Sequence, residues 1–130
     1  MTDFKTIGKN IKRKDGQDKV TGRIRYVDDF PLPNMLYTAF VTSPHAHARI
    51  VEIDLEAARE HKGVLGVYTG EDFPCLIGLY LGDKPPLARD KVRHHGELVA
   101  VVVAREESLA KRAAKRIRVT YDPLPIVDSP

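Results

Sequence analysis

The sequence predicts an α+β domain in which two helices pack on a small mixed sheet. Three observations predict it. Leu98–Ala104 is a run of seven apolar residues with three consecutive valines, too short and too β-branched for a helix, and apolar enough to be a central strand covered on both faces. Directly after it, Leu109, Ala110, Ala113, Ala114 and Ile117 form the apolar stripe of an amphipathic helix over Glu106–Arg116. Ahead of both, short strand-like runs are separated by turn residues, so the order is strand, strand, strand, helix, strand, loop, central strand, helix, strand.

Residues 1–22 read as an extended, irregular arm, because Gly8, Gly16 and Gly22 interrupt any periodicity. Arg23–Val27 reads as a short strand, ended where Pro31 and Pro33 withhold main-chain donors. Met35–Thr42 is strand-like and closes at Ser43-Pro44. His47–Ile53 alternates in part, which places Arg49, Val51 and Ile53 on one side and Ala48, Ile50 and Glu52 on the other. A short helix follows, with Asp54 as N-cap, Glu56 in its first turn, His61 and Lys62 in its last, and Gly63 at its C-terminus. It is shorter than the roughly 12–15 residues at which isolated helices become marginal, so it depends on packing. Val64–Thr69 is a strand and Gly70–Pro74 a capped turn. Residues 75–90, with Leu76–Leu81 and Pro85-Pro86, form a long loop holding at most one short strand. Ile117, Val119 and Tyr121 alternate as a final strand, ended by Asp122-Pro123-Leu124-Pro125.

A chain of 130 residues suits one domain, and 42% hydrophobic with 30% charged residues is the composition of a folded protein. The net charge of +3 comes from the ends: eight basic against five acidic residues over 1–30 and six against four over 105–130, with seven against nine between them. The basic stretch Lys9-Asn10-Ile11-Lys12-Arg13-Lys14 has no interleaved aromatic residue and runs into Asp15 and Asp18, so it suits a solvated or protein-contacting arm better than a nucleic acid surface. No apolar run approaches the roughly 18–20 residues of a membrane-spanning helix, and Met1–Lys5 is not a secretory leader, so a cytoplasmic location is expected. Cys75 is the sole cysteine and offers neither a disulfide nor a thiolate cluster.

Four local patterns invite chemistry. His45-x-His47 places two imidazoles on one side of an extended segment, but a zinc site needs further ligands, so histidines with hydrogen-bonding duties at the start of a strand are the better reading. His94-His95-Gly96-Glu97 pairs a base with an acid on paper; a glycine turn before the buried strand explains it more simply. Gly63-x-x-Gly66-x-x-x-Gly70 lacks the order of a phosphate cradle, and Cys75 has no activating partner. No residue is assigned to catalysis, cofactor binding or metal ligation.

Three segments in fixed order carry a resemblance: Arg13-Lys14-Asp15-Gly16 through Val20-Thr21-Gly22 to Tyr26-x-Asp28-Asp29, then Ser43-Pro44-His45-Ala46-His47-Ala48-Arg49-Ile50, then Gly96-Glu97-x-Val99-Ala100-Val101-Val102-Val103-Ala104. Shorter words fall between and after them, namely Gly63-Val64-x-x-Val67-x-Thr69-Gly70-x-Asp72, Leu87-Ala88-x-Asp90-x-Val92 and Tyr121-Asp122-x-Leu124-Pro125. In this order the chain resembles the opening domain of the large subunit of the xanthine dehydrogenase/aldehyde oxidase family. It departs at Leu98, where the family usually has proline, at His94, where an aromatic is common, and at Asp122, where glutamate is usual.

The resemblance implies the α/β hammerhead fold: an N-terminal arm over 1–22, the hammerhead domain over 23–125, and at 126–130 the start of a linker to molybdopterin-binding domains absent here. It further implies a molybdenum hydroxylase that oxidises N-heterocycles or aldehydes with water as oxygen source. In that family a glutamate base activates the attacking oxygen, and electrons leave through iron–sulfur clusters, often to a flavin. Those groups belong to later domains or other subunits, so this chain is expected to bind no cofactor and to have no turnover alone. Its expected partners are the molybdopterin-binding domains, in cis or in trans. A free-standing small-molecule or nucleic acid binding module is the alternative.

Overall fold

The computed structural model describes residues 5–127, so the first four residues of the expected arm and the expected linker beyond Val127 lie outside the described residues. The chain divides into two compact units, Met1–Pro33 and Asn34–Pro130.

The first unit has little regular structure. Where an irregular stretch was expected, one helical turn forms, α1 (Gly16–Val20), with no buried residue. Asp15 organises it: its Oδ2 lies 3.0 Å from both Arg13 Nη2 and Lys19 Nζ, and the two cations hold its carboxyl below the usual carboxylate range. The strand expected over Arg23–Val27 is not formed. These residues are mostly exposed and meet no partner strand, and an unpaired strand leaves its main chain to water. Instead Val27–Asp29 makes a 3₁₀ turn, closed by the Tyr26 N–H donating to Asp29 Oδ2 at 2.8 Å, with the Arg25 guanidinium 4.5 Å above the Phe30 ring.

The second unit holds the remaining regular elements: β1 (Tyr37–Thr42), β2 (Ala48–Asp54), α2 (Glu56–Arg59), β3 (Val64–Thr69), β4 (Lys91–Val92), β5 (Leu98–Ala104), α3 (Glu107–Ala114) and β6 (Arg118–Pro123). The α+β class holds, with the strands shared between two three-stranded sheets, β1-β5-β3 and β4-β2-β6, whose pairs are all antiparallel. As its apolar run requires, β5 is the central strand of the first sheet. The long loop contributes one isolated bridge, Ile77 to Lys84.

Two cores result. In the larger, Ala39, Val67, Ala100, Val102 and Ala104 pack under Ala110, Ala113 and Ala114 of α3 and Ala58 of α2. The small side chains on α3 let it lie close on the sheet. The smaller core joins Val99 to Ala48, Ala88 and Val92, with Ile50 and Tyr121 packed against it. Alternation explains the division: Ala100, Val102 and Ala104 point to α3, and Val99 points the other way. One strand therefore serves both cores.

Bulges correct the facing expected for β2. The register against β6 slips between Ile50 and Glu52, so Val51 is an extra residue and the parity of inward positions changes across it. Ala48 is buried and Ile50 and Ile53 are partly buried, whereas Arg49, Val51 and Glu52 are exposed. The helix expected after Asp54 is shorter than its signals, although Asp54 Oδ1 does accept the Glu56 N–H at 3.1 Å.

Candidate functional site

Several of the words that carry the resemblance include turns at the ends of strands, and polar side chains there are used on main-chain groups nearby. Ser43 Oγ accepts the His45 N–H and donates to the His45 carbonyl, each at 3.0 Å. Asp72 Oδ2 accepts the Thr69 N–H at 2.7 Å at the end of β3, as Asp29 does for Tyr26. Glu97, 5% exposed, accepts the Arg93 N–H and so closes the turn through Gly96, whose φ of +81° suits a residue without Cβ. The Ser43 and Gly96 turns are stitched together: the Gly96 N–H donates to the Ser43 carbonyl at 2.8 Å and the Ser43 N–H to the Glu97 carbonyl at 2.9 Å.

Of the histidines, His45 packs on Tyr121, whereas His47, His94 and His95 come to one cleft. The His45 ring meets Tyr121 edge-on with centroids 5.0 Å apart. His47 Nδ1 lies 2.8 Å from the Pro125 carbonyl, which can only accept, so that nitrogen carries the proton. His94 Nδ1 donates in the same way to the His95 carbonyl at 3.1 Å. His47, Arg93, His94 and His95 line an open cleft of about 450 Å³ with Pro125, Ile126 and Val127. Two of the family words, Ser43–Ile50 and Tyr121–Pro125, meet at this concave place, which carries imidazole and guanidinium groups without a carboxylate. A larger open cleft, about 510 Å³, runs between α2 and the end of α3 and is lined by charges of both signs.

Two side chains in this region are perturbed: Asp90, 3.5 Å from Arg93 Nη2, is held below the usual carboxylate range, and Tyr121 is shifted the other way. Burial raises its phenol above the usual value, with Ser43 acting in the opposite direction. The Ser43 hydroxyl is committed to the His45 main chain, and the Tyr121 hydroxyl is buried without a hydrogen-bond partner.

Arg89 was not singled out by the sequence, where it occupies the variable place in Leu87-Ala88-x-Asp90. Its Nε donates to the Gly70 carbonyl at 3.2 Å and its Nη2 to the carbonyls of Phe73 and, at 3.0 Å, Cys75. The word beside it was the available signal, since Leu87 and Ala88 are buried although they lie in a loop. Of the glycine pattern, Gly63 ends the α2 region with φ +92°, whereas Gly70 sits where a Cβ would approach the Ala88 and Leu87 carbonyls to 2.7 and 2.8 Å. Cys75 is exposed and holds the loop through its carbonyl alone.

Among the described residues no group of three or more His, Cys, Asp and Glu side chains is arranged to hold a metal ion.

Fold and site together define a small two-sheet α+β domain built around capped turns. The chain belongs to the aldehyde oxidase and xanthine dehydrogenase a/b hammerhead domain family, whose model matches residues 21–125. It is 39% identical to the xanthine dehydrogenase molybdenum-binding subunit of Escherichia coli O157:H7, over 91% of this chain and 17% of that subunit. Among solved structures it matches quinoline 2-oxidoreductase from Pseudomonas putida 86 (TM-score 0.73, 38% identity, 91% of this chain, 16% of that one). It also matches reconstituted CO dehydrogenase from Oligotropha carboxidovorans (TM-score 0.79, 37% identity, 94% of this chain, 16% of that one). The chain thus spans about a sixth of the length of these relatives. Among the described residues no helix is long and apolar enough to cross a membrane.

Proposed function

We propose that this chain is the structural and docking domain of a molybdenum hydroxylase large subunit, and that it does not turn over substrate by itself. The observation that carries this reading is the family match over 21–125 together with the small share of each relative that the chain spans. The complete enzyme would oxidise an N-heterocycle or an aldehyde, with oxygen taken from water. Its molybdopterin would sit on the remaining large-subunit domains, and its iron–sulfur clusters and any flavin on other domains or subunits. The basic arm of this chain, from Lys5 to Arg25, would lie across neighbouring domains. The cytoplasm is the expected compartment.

The geometry supports this division of labour. A domain whose buried carboxylate closes a turn and whose histidines bond to carbonyls contributes shape and contact surface rather than a proton relay. The test is complementation: the molybdenum-binding polypeptide encoded with this chain, made without it, is assayed for hydroxylase activity with and without the 130-residue chain. Activity that appears only in the mixture is expected. Activity of this chain alone, or no effect of adding it, would overturn the reading.

A further inference from the structure

The first sheet is covered by α3 on one face and only in part on the other, where the smaller core takes Val99 and Phe73 lies beside Tyr68. The residues of β1, β3 and β5 that point to α3 form the larger core. One residue along, Phe40, Val101 and Tyr68 stand in register across the three strands on the opposite face. Val101, in the middle, is 8% exposed, but Phe40 on one flank is 50% exposed and Tyr68 on the other 40%. The smaller core reaches this face only at the Val99 end of β5.

An antiparallel sheet with one wet face alternates apolar and polar residues. The exposed positions of β1 follow this rule, with Thr38 and Thr42 on either side of Phe40, but no Asp, Glu, Lys, Arg or His occurs in β1, β3 or β5. The second sheet shows what the chain does where water is the neighbour, since Arg49, Glu52, Asp54, Lys91, Arg118 and Asp122 lie on its strands. Backbone and side chain also cooperate to smooth the face. A Cβ at Gly66 would lie 2.6 Å from the Tyr68 ring, so the missing side chain lets that ring lie flat along β3.

We propose that the Phe40–Val101–Tyr68 face is the surface on which this domain docks, and that its occupant is an uncharged, apolar surface of the molybdenum-binding portion of the same large subunit. This rests on the reading under Proposed function and gives it a location. Two observations choose the occupant. Most of each relative's length lies outside the stretch this chain matches, so a large body of polypeptide is available to cover the face. The face also lacks the charges that steer separately diffusing partners, whereas segments of one subunit meet at high effective concentration and need no steering. Permanent contacts of this kind resemble a domain core cut in half.

The experiment measures binding of the 130-residue chain to the molybdenum-binding polypeptide encoded with it, by calorimetry, for wild type, for Phe40→Ser with Tyr68→Ser, and for Glu52→Ser on the second sheet. The double variant is expected to bind at least tenfold more weakly and Glu52→Ser within twofold of wild type. Hydroxyl-radical footprinting of the wild-type mixture gives a readout independent of the variants' folding, with protection expected at Phe40 and Tyr68. Wild-type binding with an unaffected double variant, or with no protection at those two rings, overturns the docking face and leaves the domain reading standing. No binding by the wild-type chain overturns both. A wild-type dimer that the double variant abolishes, and that the molybdenum-binding polypeptide does not open, makes a second copy the occupant and overturns the proposal.

Discussion

Arg89 and Gly70 are locked to each other twice: Arg89 Nε donates to the Gly70 carbonyl at 3.2 Å, and the space a Gly70 Cβ would need is taken by Arg89 Cγ at 2.7 Å. The same guanidinium reaches the carbonyls of Phe73 and Cys75, so one side chain holds the start of the long loop against the segment leading to β4. Arg89→Ala is expected to lower stability by about 1–2 kcal/mol, since partly exposed hydrogen bonds from a charged donor sit at the lower end of their range. Arg89→Lys, with no fork to divide among three carbonyls, recovers less than half of that. Urea denaturation of the three proteins checks it, and equal midpoints would refute the staple.

Two glycines make opposite predictions for the same substitution. Gly70→Ala forces a Cβ against the Ala88 and Leu87 carbonyls and is expected to cost about 1–3 kcal/mol. Gly16→Ala, in α1, meets only Arg13 Cβ at 3.5 Å and is expected to raise the helicity of its turn at little or no cost. Thermal melts of both variants decide whether the contacts or the chain entropy dominate.

The small-residue seam under α3 predicts damage in both directions. Val102→Ala opens a void at a fully buried position and should cost roughly 2 kcal/mol. Ala113→Leu overfills the seam and should cost about 1–3 kcal/mol. A Leu tolerated at Ala113 would show that α3 is not seated closely on the sheet.

Tyr121 predicts an alkaline limit. Its phenol is raised by burial, so the folded state favours the protonated form. Stability from this group is fully present below the unfolded phenol value near pH 10, and falls as pH rises from there through the higher folded value. Tyr121→Phe removes that dependence. It should be neutral or stabilising at neutral pH, because the hydroxyl it removes is buried without a partner. Denaturation midpoints between pH 8 and 11 for both proteins test the sign; parallel curves would refute it.

Legibility in the sequence followed how strongly each segment determines itself. Val64–Thr69 and Leu98–Ala104 are read at their observed bounds, because continuous apolar, β-branched runs between turn residues admit few alternatives. The facing of β2 was not legible, since the bulge at Val51 depends on its partner β6 and leaves no mark in the local pattern. Arg23–Val27 has strand-forming residues, but strand formation is settled by a neighbour that this segment lacks. The helical turn at Gly16–Val20 arises from the ion pairs of Asp15, which no apolar periodicity announces. At the site, the turn words are legible and their internal use is not: the glycine turn before β5 can be read from Gly96, but nothing in the residue types says that Glu97 turns inward onto the Arg93 N–H. Arg89, whose three acceptors are main-chain carbonyls, leaves no signature in the residue types it contacts.

The sharing of β5 between two cores bears on how the molecule comes apart. Ala100 and Val102 are held by one cluster and Val99 by the other, and Ile53 and Val119 touch both. Neither sheet can therefore fray to completion while its companion stays intact. Opening events that begin at either edge converge on the same seven residues, so one melting transition for the two halves, with the slowest amide exchange along this strand, is the expected outcome.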